Sequence, residues 1–188
     1  MNVILRSRAK VALAIGMVGL AGLVAVVSSV VGGSSELAAV EAVAVQAVHA
    51  DHELATLPAA AVSGPISDDS RASLIESAEA TLRTIFTGKA LASHLDTIPA
   101  TIAGEGTSDG VYIWDGGVSK LDVLESKVDG DAATVIVRAT TFLVLSATAD
   151  GERSRPENTA DLTFALVRLD GVWLVSTEDL EFLPDQGP

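Results

Sequence analysis

The chain has 188 residues, no cysteine and a formal net charge of −13, which excludes disulfides, thiolate nucleophiles and Cys-ligated zinc or iron–sulfur centres. Arg6, Arg8 and Lys10 are the only charged side chains among the first 35 residues. Residues 36–188 carry the other nine basic groups against all 25 acidic ones, a net of −16, and this field disfavours nucleic acids and anionic lipid headgroups as partners of that part.

The first element is the run Val11–Val31, 21 residues without a charge. As a helix it would measure about 30 Å, the thickness of a hydrocarbon core, and it exceeds the roughly 7 to 15 apolar residues of a secretory leader. A retained anchor is therefore expected, although "VHA" at Val48–Ala50 has the small residues of a cleavage site. Basic residues before the run and Glu36 and Glu41 after it place the N-terminus in the cytoplasm and the remainder outside. Ala12 with Gly16, and Ala21, Ala25 and Ser29, have small-xxx-small spacing. That spacing suits a homodimer or a partner membrane protein, and equally reflects an Ala- and Gly-rich apolar helix.

Gly32 and Gly33 break the run, and a second helix is predicted from about Glu36 to Leu57, ending at Pro58. Ala and Val cover most of its faces, which suits a stalk or a helix in need of a partner surface. His49 and His52, three apart with Asp51 and Glu53 beside them, offer a weak metal motif; a solvated surface is the blander reading. The composition of 58–65 is that of a linker. The division is thus a cytoplasmic tail (1–10), a transmembrane helix (11–31), a helical stalk and linker (32–65) and an extracytoplasmic domain (66–188).

In that domain Ser67 is a predicted N-cap, with Asp68 and Asp69 in the first turn and Gly88 at the C′ position. Between them Ile75, Ala78, Leu82, Ile85 and Phe86 recur at helical spacing. A shorter helix carries Leu91, Leu95 and Ile98 and is expected to stop at Pro99. A loop over 103–110 follows. The apolar period then changes to two: Asp129-Gly130 and Asp170-Gly171 separate runs at 117–128, 131–148, 158–169 and 172–182, and a short strand at 111–114 adds to them. Helices followed by an antiparallel meander of four to five strands define an α+β domain with helices on one sheet face.

If both Asp-Gly pairs form two-residue turns, Leu121 faces Arg138 and Arg168 faces Trp173. Symmetric pairing of the middle strands then sets Arg138 opposite Arg168 and Phe142 opposite Phe164. On that register Arg138, Phe142, Phe164, Arg168 and Trp173 share one face. They would form an anion recess at the mouth of an aromatic pocket, or else two solvated arginines with Arg168 stacked on Trp173.

A long helix, a shorter helix and a bent antiparallel sheet closing with "LTFALVRLDGVWLVSTEDLEF" resemble the cone-shaped fold of the nuclear transport factor two and SnoaL-like superfamily. The shared features are the alternating strand 162–169, the Asp170-Gly171 turn and Trp173 after it. With a short tail and one span ahead of the cone, the chain is similar to bitopic scaffold proteins of type IV secretion machines and to membrane proteins associated with Mce lipid import. Both resemblances imply assembly work with an envelope or membrane protein partner, without catalysis.

Enzymes of the same superfamily use a carboxylate or histidine base on small hydrophobic carbonyl substrates, an isomerase- or cyclase-like chemistry that also needs an oxyanion donor. The residues here that would match are His94 and Asp96 on the short helix, with Tyr112 as donor. The alternative is a solvated His and Asp on a surface helix. No serine elbow, phosphate loop, dinucleotide fingerprint or HExxH motif is present. The expectation is a single-pass bacterial envelope protein with a non-catalytic domain that binds a protein or an apolar ligand, without cofactor or metal. The rival is a membrane-tethered cone-fold enzyme.

Overall fold

The computed structural model describes residues 34–56, 59, 66–103, 107–108 and 111–184. The expected cytoplasmic tail and membrane span, with their small-xxx-small faces, lie outside the described residues. No helix among the described residues is long and apolar enough to cross a membrane.

Three helices precede one antiparallel sheet: α1 (Ser34–Thr56), α2 (Asp68–Ile85), α3 (Gly88–Ala103), then β1 (Thr107–Ser108), β2 (Val111–Asp129), β3 (Ala132–Ser146), β4 (Glu157–Leu169) and β5 (Val172–Phe182), paired in chain order. The domain is α+β as expected from the change of period. The segment read as a stalk behaves differently. Val40, Ala44, Ala47, Val48 and Ala50 of α1 are buried in the same core as Phe164, Leu166, Trp173 and Val175 of the sheet. The helix has found its partner surface within its own chain. Its buried residues recur every three or four positions, and because most are alanine or valine the helix axis can lie close to the strands.

The close approach continues at the end of α1. A Cβ on Gly116 would fall 2.5 Å from His52 Nε2 and 2.7 Å from Thr56 Cγ2, so β2 needs glycine where the helix crosses it.

Ser67 caps α2, its Oγ accepting from Ser70 N at 3.2 Å. Gly88, expected as the C′ residue of α2, instead starts α3 at φ +54° after a two-residue break. Pro99 does not end α3. The helix runs to Ala103 because Ile98 and Ile102, 0% and 2% exposed, extend its buried stripe past the proline. Packing here outweighs one lost backbone hydrogen bond.

β2 is one 19-residue strand interrupted by three register shifts; each such irregularity bends a strand and increases its twist. The Asp170-Gly171 turn is as predicted, with both residues at positive φ (52° and 84°) as a type I′ turn demands. The other turn is displaced by one residue: Asp129 pairs with Ala132, leaving Gly130 and Asp131 at the tip with Gly130 at φ +60°.

The middle pair departs further from expectation. Arg138 pairs with Asp161 and Phe142 with Glu157. The end of β3 runs past β4 and pairs with Tyr112 and Ile113 of β2. The connection after it folds back so that Leu145 and Ser154 exchange backbone hydrogen bonds. Symmetric pairing fails because the loop is gathered on one side of the hairpin.

If α1 is a core element, Ala44→Glu should abolish cooperative unfolding or lower the midpoint severely, while Glu53→Ala on the exposed side should shift stability by no more than about 0.5 kcal/mol. Phe164→Ala should cost about 3–5 kcal/mol. Chemical denaturation followed by circular dichroism checks all three, and an unchanged midpoint for Ala44→Glu would restore the stalk.

Candidate functional site

The predicted anion recess does not assemble. Arg138 lies on the opposite face from the core, between the buried positions Val137 and Ala139. There it makes a two-pronged pair with Asp161, 2.7 Å from Nε to Oδ1 and 2.7 Å from Nη2 to Oδ2. That contact holds the Asp161 carboxyl below its usual range. Phe164 is completely buried. Phe142 sits beneath the Arg155 guanidinium, 3.7 Å from its ring centre. Only Arg168 and Trp173 remain together, paired across β4 and β5 and stacked at 4.5 Å. Arg168 also reaches Glu36 Oε1 at 2.8 Å and the Gly130 carbonyl at 3.0 Å. It fastens the first turn of α1 to the β2–β3 hairpin tip. This is the stacked-arginine alternative, with a structural partner on helix α1.

His94 and Asp96 part company. Asp96 is exposed, and Tyr112 packs beside Trp114 with ring centres 6.4 Å apart; neither lines a cavity with His94. His94 falls on the inward stripe of α3, between Ala90 and Ile98, with its ring 4.4 Å from that of Phe86. The solvated-surface reading therefore fails for His94 and holds for Asp96. His49 is exposed, and His52 faces the Phe142 ring at 6.4 Å. Burial, aided by the nearby His49, pushes His52 below its ordinary pKa, with Asp115 and the Phe142 backbone opposing.

His94 gathers two carboxylates instead. Its Nε2 lies 3.2 Å from Asp51 Oδ1 and 3.0 Å from Glu178 Oε1. Three elements supply the three groups. Asp51 extends the buried row Val40, Ala44, Ala47 and Val48 by one further step along α1. Glu178 comes from β5, directly opposite fully buried Phe164. The cluster lines a cleft of about 510 Å³ together with Thr97, Thr101, Leu162 and Leu180.

A bulge delivers Glu178. Trp173 and Val175 face the core, and strict alternation would send Thr177, Asp179 and Glu181 after them. The register instead shifts between Ala165 and Leu166: Val175 pairs with Leu166 but Thr177 with Ala165, so Ser176 is the extra residue. Its Oγ donates to the Ala165 carbonyl at 3.0 Å. Beyond it the inward positions are Glu178, Leu180 and Phe182, opposite Phe164, Leu162 and Ala160. Re-aiming a side chain in this way is a known use of bulges.

The electrostatics of the cluster are strained. No lysine or arginine lines this cleft among the described residues, while Asp179 adds a third carboxylate to its rim. Burial, then the charge of Glu178, raises Asp51 from 3.8 to about 7, with His94 opposing. For His94, burial works to lower the pKa but is outweighed by contact with Glu178 and the field of Asp51, and the net shift is upward. Despite their 3.2 Å separation, Asp51 Oδ1 and His94 Nε2 are buried without a well-directed hydrogen bond, as is the other Glu178 oxygen, Oε2, while Glu178 Oε1 makes the contact that raises His94. Such a group can be neutralised by a proton or by a cation.

In the sequence Asp51 stands out only as a neighbour of His49 and His52, and nothing there brings it or Glu178 to His94. Asp51 carried a signal, since an acidic residue on an otherwise buried helical stripe is unusual. Glu178 carried none, because the bulge reverses the face that alternation assigns.

In chelator-treated protein both shifts act in one direction. Between pH 3.8 and about 7, folded Asp51 holds a proton that the unfolded chain releases, so stability falls as pH rises. The raised His94 contributes below its unfolded value and loses that contribution as pH rises through its folded one. Asp51→Asn should therefore flatten the decline between pH 4 and 8, by an amount on the order of a few kcal/mol. Denaturant titrations of both proteins across that range measure it, and parallel curves would refute it.

No family model and no curated protein matches the chain. Among solved structures, the crystal structure of the intermembrane space region of chloroplast protein ARC6 aligns with a TM-score of 0.45 at 17% identity. The alignment covers 63% of this chain and 100% of that one. At this level of similarity it carries no argument about fold or function.

Proposed function

We propose that the chain is a single-pass cell-envelope protein whose cone-like α+β domain works outside the membrane as a scaffold or accessory subunit, binding another protein without catalysis. The observation that carries this reading is the filled interior. Phe86, Phe164, Leu82, Ile98, Ile102 and Val175 occupy the space between helices and sheet at 2% exposure or less, so the interior itself is packed and the cleft at His94 lies at its edge, with exposed Leu180 and Asp179 on its walls.

Apolar groups lie outside instead. Leu169 and Val172, 47% and 56% exposed, flank the Asp170-Gly171 turn, and Leu124 is 48% exposed on β2. The two hairpin tips and the first turn of α1 share one end of the domain, joined through Arg168 and Glu36. That end is also where the chain enters the domain from the proposed span. Exposed apolar side chains of this kind suit a protein interface.

The packing of α1 supports this reading against cleavage at "VHA". Cleavage after Ala50 would remove Val40, Ala44, Ala47 and Val48 from the core. A peptidase cutting at "VHA" would thus destroy the domain that it released.

Photo-crosslinkers placed at Leu169 and Val172 in intact membranes should yield a discrete adduct that one at exposed Asp96 does not. The double variant Leu169→Asp, Val172→Asp should lose that adduct while remaining folded and membrane-bound. Recovery of the protein in the medium with a shortened N-terminus, or turnover of a small ketone that disappears with His94→Ala, would overturn the reading.

A further inference from the structure

We propose that Asp51, His94 and Glu178 form a binding site for one divalent transition-metal ion of the zinc class. This holds whatever the domain binds at its hairpin tips.

The two separations from His94 fit an ion. Zinc binds imidazole nitrogen and carboxylate oxygen at about 2.0–2.2 Å, so two neighbouring ligand atoms on one ion lie about 2.8–3.6 Å apart at angles between roughly 90° and 110°. His94 Nε2 stands at 3.0 Å from Glu178 Oε1 and 3.2 Å from Asp51 Oδ1, and one ligand atom from each of the three lies within 4.8 Å of the others. A directed hydrogen bond would place a proton on the line between two atoms. Asp51 Oδ1 and His94 Nε2 are buried without such alignment, as they are when a common point between them is the partner, and Glu178 Oε1 stands beside them at hydrogen-bonding distance from His94.

The surroundings point the same way. Two carboxylates and a neutral imidazole balance a doubly charged cation, and no lysine or arginine lines the cleft to do so among the described residues. Asp51 and His94 occupy positions where α1 and α3 otherwise bury apolar side chains, and the Ser176 bulge turns Glu178 onto the same side, opposite buried Phe164. Three separate elements thus bring polar groups to one place. An imidazole among the donors favours zinc and its neighbours over magnesium and calcium, which prefer all-oxygen shells.

The ion ties α1 and α3 to β5 at the open end of the core. Three protein ligands leave a fourth position facing the cleft, where water or a donor atom from outside completes the shell. Leu54, Leu162 and Leu180 line the cleft around that position, with Thr97, Thr101 and Asp179 also on its walls. The pair His49 and His52 takes no part.

The full chain, purified in detergent and stripped with chelator, should bind one Zn²⁺ by isothermal titration and show a raised melting temperature. Cobalt substitution should give visible absorption bands of a nitrogen–oxygen site. Glu178→Gln and His94→Asn should each weaken zinc binding by more than the roughly 10- to 100-fold that follows loss of an outer-shell partner. The double variant His49→Ala, His52→Ala should bind as tightly as the parent. X-ray absorption at the zinc edge of the unmutated protein, which does not depend on any variant folding, should show a single imidazole in a shell of oxygen atoms at about 2.0–2.1 Å. Failure of the stripped protein to bind zinc, a shell with two imidazoles, or retention in Glu178→Gln with loss in the histidine double variant would overturn the site.

Discussion

The seating of α1 against the sheet is the constraint from which the rest follows. Its inward row is built of Val40, Ala44, Ala47 and Val48, and small side chains bring the helix close enough for glycine to be required beneath it at Gly116. Held at that distance, the helix shares one core with α2, α3 and the buried face of the sheet. It also fixes where its next inward residue must go. That residue is Asp51, which meets His94 and Glu178 where the core thins out.

Burying three ionisable groups together is costly, and the domain does not offset the cost with a basic residue. A buried acid pair is tolerated only when a proton or a cation sits between its members. The arrangement stands apart from the other ion pairs of the domain. Arg138 with Asp161, Arg155 with Glu157 and Lys120 with Asp122 are contacts near the surface, of the kind that contributes little to stability, and Arg168 brings its own permanent cation to Glu36 and Asp131. The three-way cluster is the place where charge and burial conflict, and such conflicts concentrate at sites of function.

Much of the domain was legible in its sequence because its strongest patterns are local. The Ser67 cap, the stripe from Ile75 to Ile85 and the Asp170-Gly171 turn each depend on residues within a few positions of one another, and each formed where expected. What stayed hidden depends on distant partners. The role of α1 requires knowing that a sheet far along the chain will receive it. The pairing of Arg138 with Asp161 depends on how the loop 147–156 gathers against β3. The facing of Glu178 depends on a single extra residue at Ser176, and a shift of one position reverses every side chain beyond it. His94 was singled out from its chemistry, but its companions come from elements whose relative placement is a property of the whole fold.

The attachment of α1 has a mechanical consequence. Tension arriving through the residues before Ser34 would enter the domain at α1, which is gripped near its start by Arg168 on Glu36 and by Ser126 on Glu41. That load would be shared between two polar clasps and a long row of interlocked small side chains. If the proposed anchor holds, a tug from it would reach the sheet through these clasps and this row at once, a useful property in a part that keeps its grip while the structures around it move.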